Sequence, residues 1–157
     1  MNSVFGSLFI VSTPLGNLKD ITLRALDIMK NSYLIAAEDT RKSQILLKEY
    51  RIKTKMISYH EHNSHNRIKT IIAHLKDGKN ISLISDAGTP GISDPSYRLI
   101  RNAIENEISV SSIPGPSAFL TALTSSGLPT DNFFFAGFLP PKKGRKSKLE
   151  ELSKLNS

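Results

Sequence analysis

Five short segments hold most of the side chains in this sequence that could do chemistry. Asp86-Ala87-Gly88-Thr89-Pro90-Gly91-Ile92-Ser93-Asp94 is the most informative. Its glycines allow positive φ and let a ligand approach bare backbone. Its prolines stiffen the loop before any ligand arrives. Asp86 can accept hydrogen bonds from a ligand hydroxyl or amine, or it can turn back on its own loop. Asp94 reads more simply as a helix cap. Pro114-Gly115-Pro116-Ser117-Ala118 has the same character, and the N–H groups of Ser117 and Ala118 would suit an anion such as a ligand carboxylate. Thr13-Pro14-Leu15-Gly16-Asn17 is a third Pro/Gly loop.

Two segments are charged instead. Glu38-Asp39-Thr40-Arg41 places two acids and a base together. The acids can take a proton or orient a hydroxyl, and they can equally cap a helix. His60, His62 and His65 lie close together beside Glu61. No matching carboxylate or histidine cluster accompanies them, so they read as a polar loop and no metal is expected.

Several chemistries are excluded. With no cysteine there is no disulfide, thiol nucleophile or cysteine-ligated metal. Neither a P-loop nor a G-x-G-x-x-G fingerprint is present, which disfavours an NTPase or an ordinary dinucleotide enzyme. The net charge is +7, yet Lys142, Lys143, Arg145, Lys146 and Lys148 fall within one heptad. Without them the balance is +2, so the basicity is mostly one local patch. Such a patch reads as a docking site for a polyanion or as a solvated helix start. No apolar run approaches the ~20 residues of a membrane helix, and the N-terminus lacks a basic leader, so a cytoplasmic protein is expected.

The elements that must position these residues alternate. Apolar runs at Leu8–Ser12, Tyr33–Ala37, Lys55–Tyr59, Ile81–Ser85 and Ile108–Ile113 read as strands. Between them lie helical patterns: about 21–31 capped by Asp20, a second ending near Tyr50, a third capped by Asn63 or Ser64 and closed by Gly78, and a fourth led by Asp94-Pro95. The fourth would bury Leu99, Ile100, Ala103 and Ile104. Such alternation predicts an α/β fold, a parallel-rich sheet flanked by helices, with ligands bound beyond the carboxyl ends of the strands. The expected division is an N-terminal α/β domain over residues 1–118, followed over 119–157 by a connecting helix and an incomplete second domain. Phe133–Phe138 would be a sixth strand there, and Leu149, Leu152 and Leu155 an apolar helical stripe.

Taken together, the motifs carry a resemblance. Val11-Ser12-Thr13-Pro14-Leu15-Gly16-Asn17-Leu18, Ala37-Glu38-Asp39-Thr40-Arg41, Ser85 to Pro95, Pro114 to Ala118, Gly127-Leu128-Pro129-Thr130-Asp131 and Phe134 to Pro140 follow in order. In these the chain resembles the ribosomal RNA small subunit methyltransferase I family of the tetrapyrrole methylase-like superfamily. The resemblance implies an S-adenosylmethionine-dependent enzyme that methylates the 2′-hydroxyl of a cytidine in small-subunit ribosomal RNA. It implies a homodimer of two-domain subunits, with the cofactor in the cleft between domains. Pro14, Asp86, Ala87, Gly88, Ile92, Ser117 and Ala118 would line the cofactor site. Glu38, Asp39 and Arg41 would stand at the reacting centre, and Lys142, Lys143, Arg145, Lys146 and Lys148 would contact RNA. Family members continue beyond this chain's last residue, so the alternative expectation is a non-catalytic remnant that folds or binds RNA without methyl transfer.

Overall fold

The computed structural model describes residues 5–155. Five strands form one parallel sheet: β1 (Leu8–Val11), β2 (Leu34–Ala37), β3 (Met56–Ser58), β4 (Ile81–Ile84) and β5 (Val110–Ile113). Their spatial order is β3-β2-β4-β1-β5. The two fully buried strands, LIAA of β2 and ISLI of β4, stand inside the sheet, while the half-buried β3 and β5 are its edges. An uninterrupted apolar strand is what a sheet covered on both faces requires.

The helices are α1 (Leu23–Asn31), α2 (Thr40–Glu49), α3 (Ser64–Lys76), α4 (Ser96–Glu105), α5 (Ala118–Ser125) and α6 (Arg145–Leu152). Because side chains alternate across a strand, each face of the sheet has its own apolar cluster. Leu8, Ile10, Leu34, Ala36, Ile81 and Leu83 pack with Ile71 and Leu75 of α3 and Leu99 of α4. On the other face Val11, Ile35, Ala37 and Ile84 pack with Met29 of α1 and Leu46 and Leu47 of α2. The chain therefore covers one face with α1 and α2, then switches to the other with α3 and α4.

Several helix ends differ from the sequence reading. Asp20 does not cap α1; it closes a short 3-10 turn, and Thr22 caps α1 by accepting from the Ala25 N–H at 3.1 Å. Asn63 occupies the cap position of α3 without capping it, since its Oδ1 accepts from the His60 N–H. Asp94 does bind the start of α4: its carboxylate accepts from the N–H groups of Ser96 and Gly91 at 2.7 and 2.9 Å. On α4 Leu99 and Ala103 are buried, but Ile104 is 61% exposed because it falls off the buried stripe.

The chain divides into two compact units, Met1–Ala118 and Phe119–Ser157. In the second unit the expected strand over Phe133–Phe138 does not form; the segment is irregular. A strand needs a ladder partner, and Phe133 and Phe135 instead stack their rings on Phe119, with centroids 6.1 and 5.0 Å away. Leu149 and Leu155 on the expected stripe are each 46% exposed.

Candidate functional site

The sheet order places the loops after β2, β4, β1 and β5 side by side at the carboxyl edge. At β4 and β1 the chain leaves toward opposite faces, the switch-point geometry at which α/β sheets open a crevice. The loop after β3, with the histidines, lies at the outer end of that row.

Three loops are fastened to one another. Thr13 and Gly88 exchange backbone hydrogen bonds, each 2.9 Å. Gly88 holds φ +77°, which favours glycine, and a β-carbon there would meet Leu15 at 3.3 Å. The Thr13 hydroxyl donates to the Ser85 carbonyl at 3.1 Å. Ser12 Oγ and Thr89 Oγ1 share a hydrogen bond of 2.9 Å, and the Thr89 hydroxyl also lies 3.2 Å from the Pro116 carbonyl. Gly115 lets the β5 loop reach this lock: a β-carbon there would stand 2.8 Å from Ser12 Cβ. The rigidity expected from Pro and Gly composition thus comes equally from three hydroxyls, Ser12, Thr13 and Thr89. Sequence reading gave those hydroxyls no part; short hydroxyl residues beside each Pro/Gly turn were the available signal.

The acids belong to a second set of bonds. Asp86 does not turn back on its own loop. Its Oδ1 accepts from the Asp39 N–H at 3.0 Å, and its Oδ2 takes the Lys42 ammonium at 2.6 Å. Glu38 Oε2 accepts from the Asp86 N–H at 3.3 Å. The loops after β2 and β4 are thereby crossed, carboxylate to backbone, in both directions. Asp39 caps α2 through the Arg41 N–H and grips the Arg41 guanidinium at 2.8 and 3.1 Å. These bonds from Arg41 hold the Asp39 carboxyl well below the usual carboxylate range, and the same pairing raises Arg41. A carboxylate held so far down makes a poor proton acceptor near neutral pH. Among the described residues Glu38 forms no ion pair, feeling the Lys42 charge only at longer range, which leaves it the better placed of the two acids. Sequence reading passed over Lys42, although a base directly after Arg41 in the first helical turn was visible.

Beside this edge lies a cavity of about 180 Å³ lined by Thr13, Pro14, Gly16, Lys42, Ser85 and Asp86 among others. Pro14 and Gly88 are buried, Ser117 and Asp86 are partly exposed, and Ala87, Ala118 and Ile92 are open to solvent. The cavity includes Pro14 and Asp86 of the expected cofactor residues. Lys146 and Lys148 pair with Glu150 and Glu151 on α6. At the histidine loop the Asn63 amide approaches His60 Nε2 at 3.1 Å, and His60 Nδ1 is buried without a partner. Among the described residues no group of three potential ligands could hold a metal ion, and no helix is long and apolar enough to cross a membrane.

The family profile of tetrapyrrole (corrin/porphyrin) methylases matches residues 7–156. A ribosomal RNA small subunit methyltransferase I of Mesorhizobium japonicum is 53% identical over 147 residues, covering 93% of this chain and 50% of that protein. Its counterpart in Thermotoga maritima is 49% identical over 151 residues, covering 96% and 68%. That of Escherichia coli O157:H7 is 49% identical over 148 residues, covering 94% and 52%. The chain thus spans about half the length of two of these relatives and about two thirds of the third. Among solved structures, uroporphyrin-III-C-methyltransferase of Thermus thermophilus matches with a TM-score of 0.59 at 17% identity, over 79% of this chain and 54% of that one. A cobalt precorrin-4 methyltransferase matches with a TM-score of 0.62 at 15% identity, over 76% and 50%. At such identities these structures speak for the fold alone.

Proposed function

The chain belongs to the tetrapyrrole (corrin/porphyrin) methylase family and is akin within it to the ribosomal RNA small subunit methyltransferases I, and from that premise we propose that it methylates the 2′-hydroxyl of a cytidine in small-subunit ribosomal RNA. The methyl donor is S-adenosylmethionine, which when bound supplies an electrophilic methyl group. The reading places the protein in the cytoplasm, as a homodimer.

The residues present suit that donor. It carries no phosphate, and the carboxyl edge offers no phosphate loop. It carries an amino-acid end and a ribose. Asp86 is partly exposed, with one bond on each oxygen, and retains lone pairs for a hydroxyl or ammonium. The backbone around Gly88 and Gly115 gives the walls. Pro14, Ala87, Ile92, Ser117 and Ala118 complete the proposed lining.

Methyl transfer to a ribose oxygen is chiefly a positioning task. Loops locked before binding lose little further freedom on binding. The acceptor oxygen forms its bond to the methyl carbon as the carbon–sulfur bond breaks and a neutral thioether leaves, and Glu38 is the group proposed to take the hydroxyl proton. Asp39 holds Arg41 and the start of α2, and so keeps Glu38 in place. Arg41 retains N–H groups for a phosphate of the acceptor strand. Lys142, Lys143 and Arg145 add contacts to RNA backbone.

The observation that carries this reading is the crossed pairing of Glu38 and Asp86 beside the three fastened loops. Calorimetric titration with S-adenosylmethionine, followed by methyl transfer to small-subunit ribosomal RNA, tests it. Saturable binding and transfer are expected. Binding of RNA without the donor would identify the chain as a non-catalytic remnant instead.

A further inference from the structure

We propose that a single strand of RNA reaches the carboxyl edge along the groove between α2 and the edge segment leading into β3. The inference rests on the reading of RNA as the methyl acceptor, and adds where on the surface that strand lies.

The groove, about 530 Å³, presents Thr40, Arg41, Gln44, Lys53 and Thr54. One end is Arg41, in the first turn of α2 beside Glu38. The other is the turn residue Arg51 and the edge segment Ile52-Lys53-Thr54-Lys55 that leads into β3. In that stretch the side chains alternate. Ile52 is buried, and Thr54 turns inward to donate to the Met29 carbonyl at 2.7 Å, while Arg51, Lys53 and Lys55 face solvent. Lys53 lines the groove, Lys55 follows on the same exposed side at the roughly 6.6 Å spacing of alternate strand residues, and Arg51 stands at the turn just before them, so the three cations follow one another along the edge. A row suits a linear polyanion better than one compact anion. Lys48, on the last turn of α2, stands close by in sequence.

These cations are not spent on neighbours. Among the described residues no carboxylate lies within ion-pairing reach of Lys48, Arg51, Lys53 or Lys55, whereas Arg41, Lys42, Arg98 and Arg101 all have acidic partners. Arg51 also occupies an unfavourable backbone position. It has φ +53°, a left-handed conformation normally given to glycine after a helix. The cation after α2 is therefore held at a position where glycine would serve the fold better.

The decisive measurement is the salt dependence of binding, followed by anisotropy of a labelled cytidine-containing RNA strand of about 20 nucleotides on the full chain. Each phosphate contact to a single strand contributes about 0.7 to the slope of log affinity against log salt. The triple variant Arg51→Gly, Lys53→Gln, Lys55→Gln is expected to lose about 2 from that slope and at least tenfold in affinity at low salt. Lys69→Gln with Lys76→Gln, on α3, should leave the slope unchanged. Arg51→Gly alone should lose about 0.7 while melting no earlier than the parent, which separates lost contact from lost fold. An unchanged slope in the triple variant overturns the groove, while the methyltransferase reading stands if the parent binds S-adenosylmethionine and RNA. A parent that binds the donor but no RNA overturns both.

Discussion

At the scale of single residues, Glu38 and Asp39 are adjacent acids with different fates. Asp39 is committed to Arg41 and the cap of α2, and Glu38 only to one backbone N–H. Glu38→Gln preserves that acceptor but removes the proton-accepting charge. It should slow methyl transfer about a hundredfold or more, with donor affinity unchanged by calorimetry. Because the Asp39 carboxyl is lowered in the folded state, its stabilising effect is present above the ordinary value of 3.8 and fades as pH falls through the folded value. The difference in melting temperature between the parent and Asp39→Asn should thus be full near about pH 7 and shrink as the pH is lowered below 3.8. Gly115→Ala forces a β-carbon to 2.8 Å from Ser12. A stability loss of about 1–3 kcal/mol is expected on denaturant unfolding, together with weaker donor binding. The loops were legible in the sequence because Pro and Gly announce them. The bonds that lock them were not, because Ser12 meets Thr89, and Asp86 meets Asp39, only after β4 inserts between β1 and β2.

At the scale of elements, three helices end in one way. After α2, α3 and α4 the second and third N–H groups turn back on the last carbonyls: Arg51 to Lys48 and Ile52 to Leu47, Gly78 to Leu75 and Lys79 to His74, Glu107 to Ile104 and Ile108 to Ala103. This is the Schellman pattern, whose turning residue needs positive φ. Gly78 at +79° was recognisable in the sequence for that reason. Arg51 and Glu107, at +53° and +58°, were not, because the bond pattern overrode residue preference. Glu107 lies on no proposed site. Glu107→Gly should relieve about 1–2 kcal/mol of left-handed strain against about 0.5–1 kcal/mol of added chain entropy, for a gain near 0.5 kcal/mol by chemical denaturation. The five strands of the sheet were legible from short apolar runs. The triple phenylalanine misled because aromatic residues favour strands only where another strand lies alongside, and here the Phe133 and Phe135 rings stack on Phe119.

At the scale of the whole molecule, both apolar clusters are built from residues between Leu8 and Ile113. A chain ending at Ala118 should therefore fold alone and unfold in one cooperative transition. Loss of near-ultraviolet circular dichroism in that fragment would show that it needs the remainder. The order of the sheet has a further consequence, for synthesis. β1, made first, is bonded between β4 and β5, with Leu8 opposite Ile81 and Val110. At about 5–20 residues per second, the 102 residues from Ser12 to Ile113 take roughly 5–20 s to emerge. Until β4 follows, the nascent chain presents β1 with neither of its sheet partners, and β5, the last strand of this sheet to be made, closes its other edge.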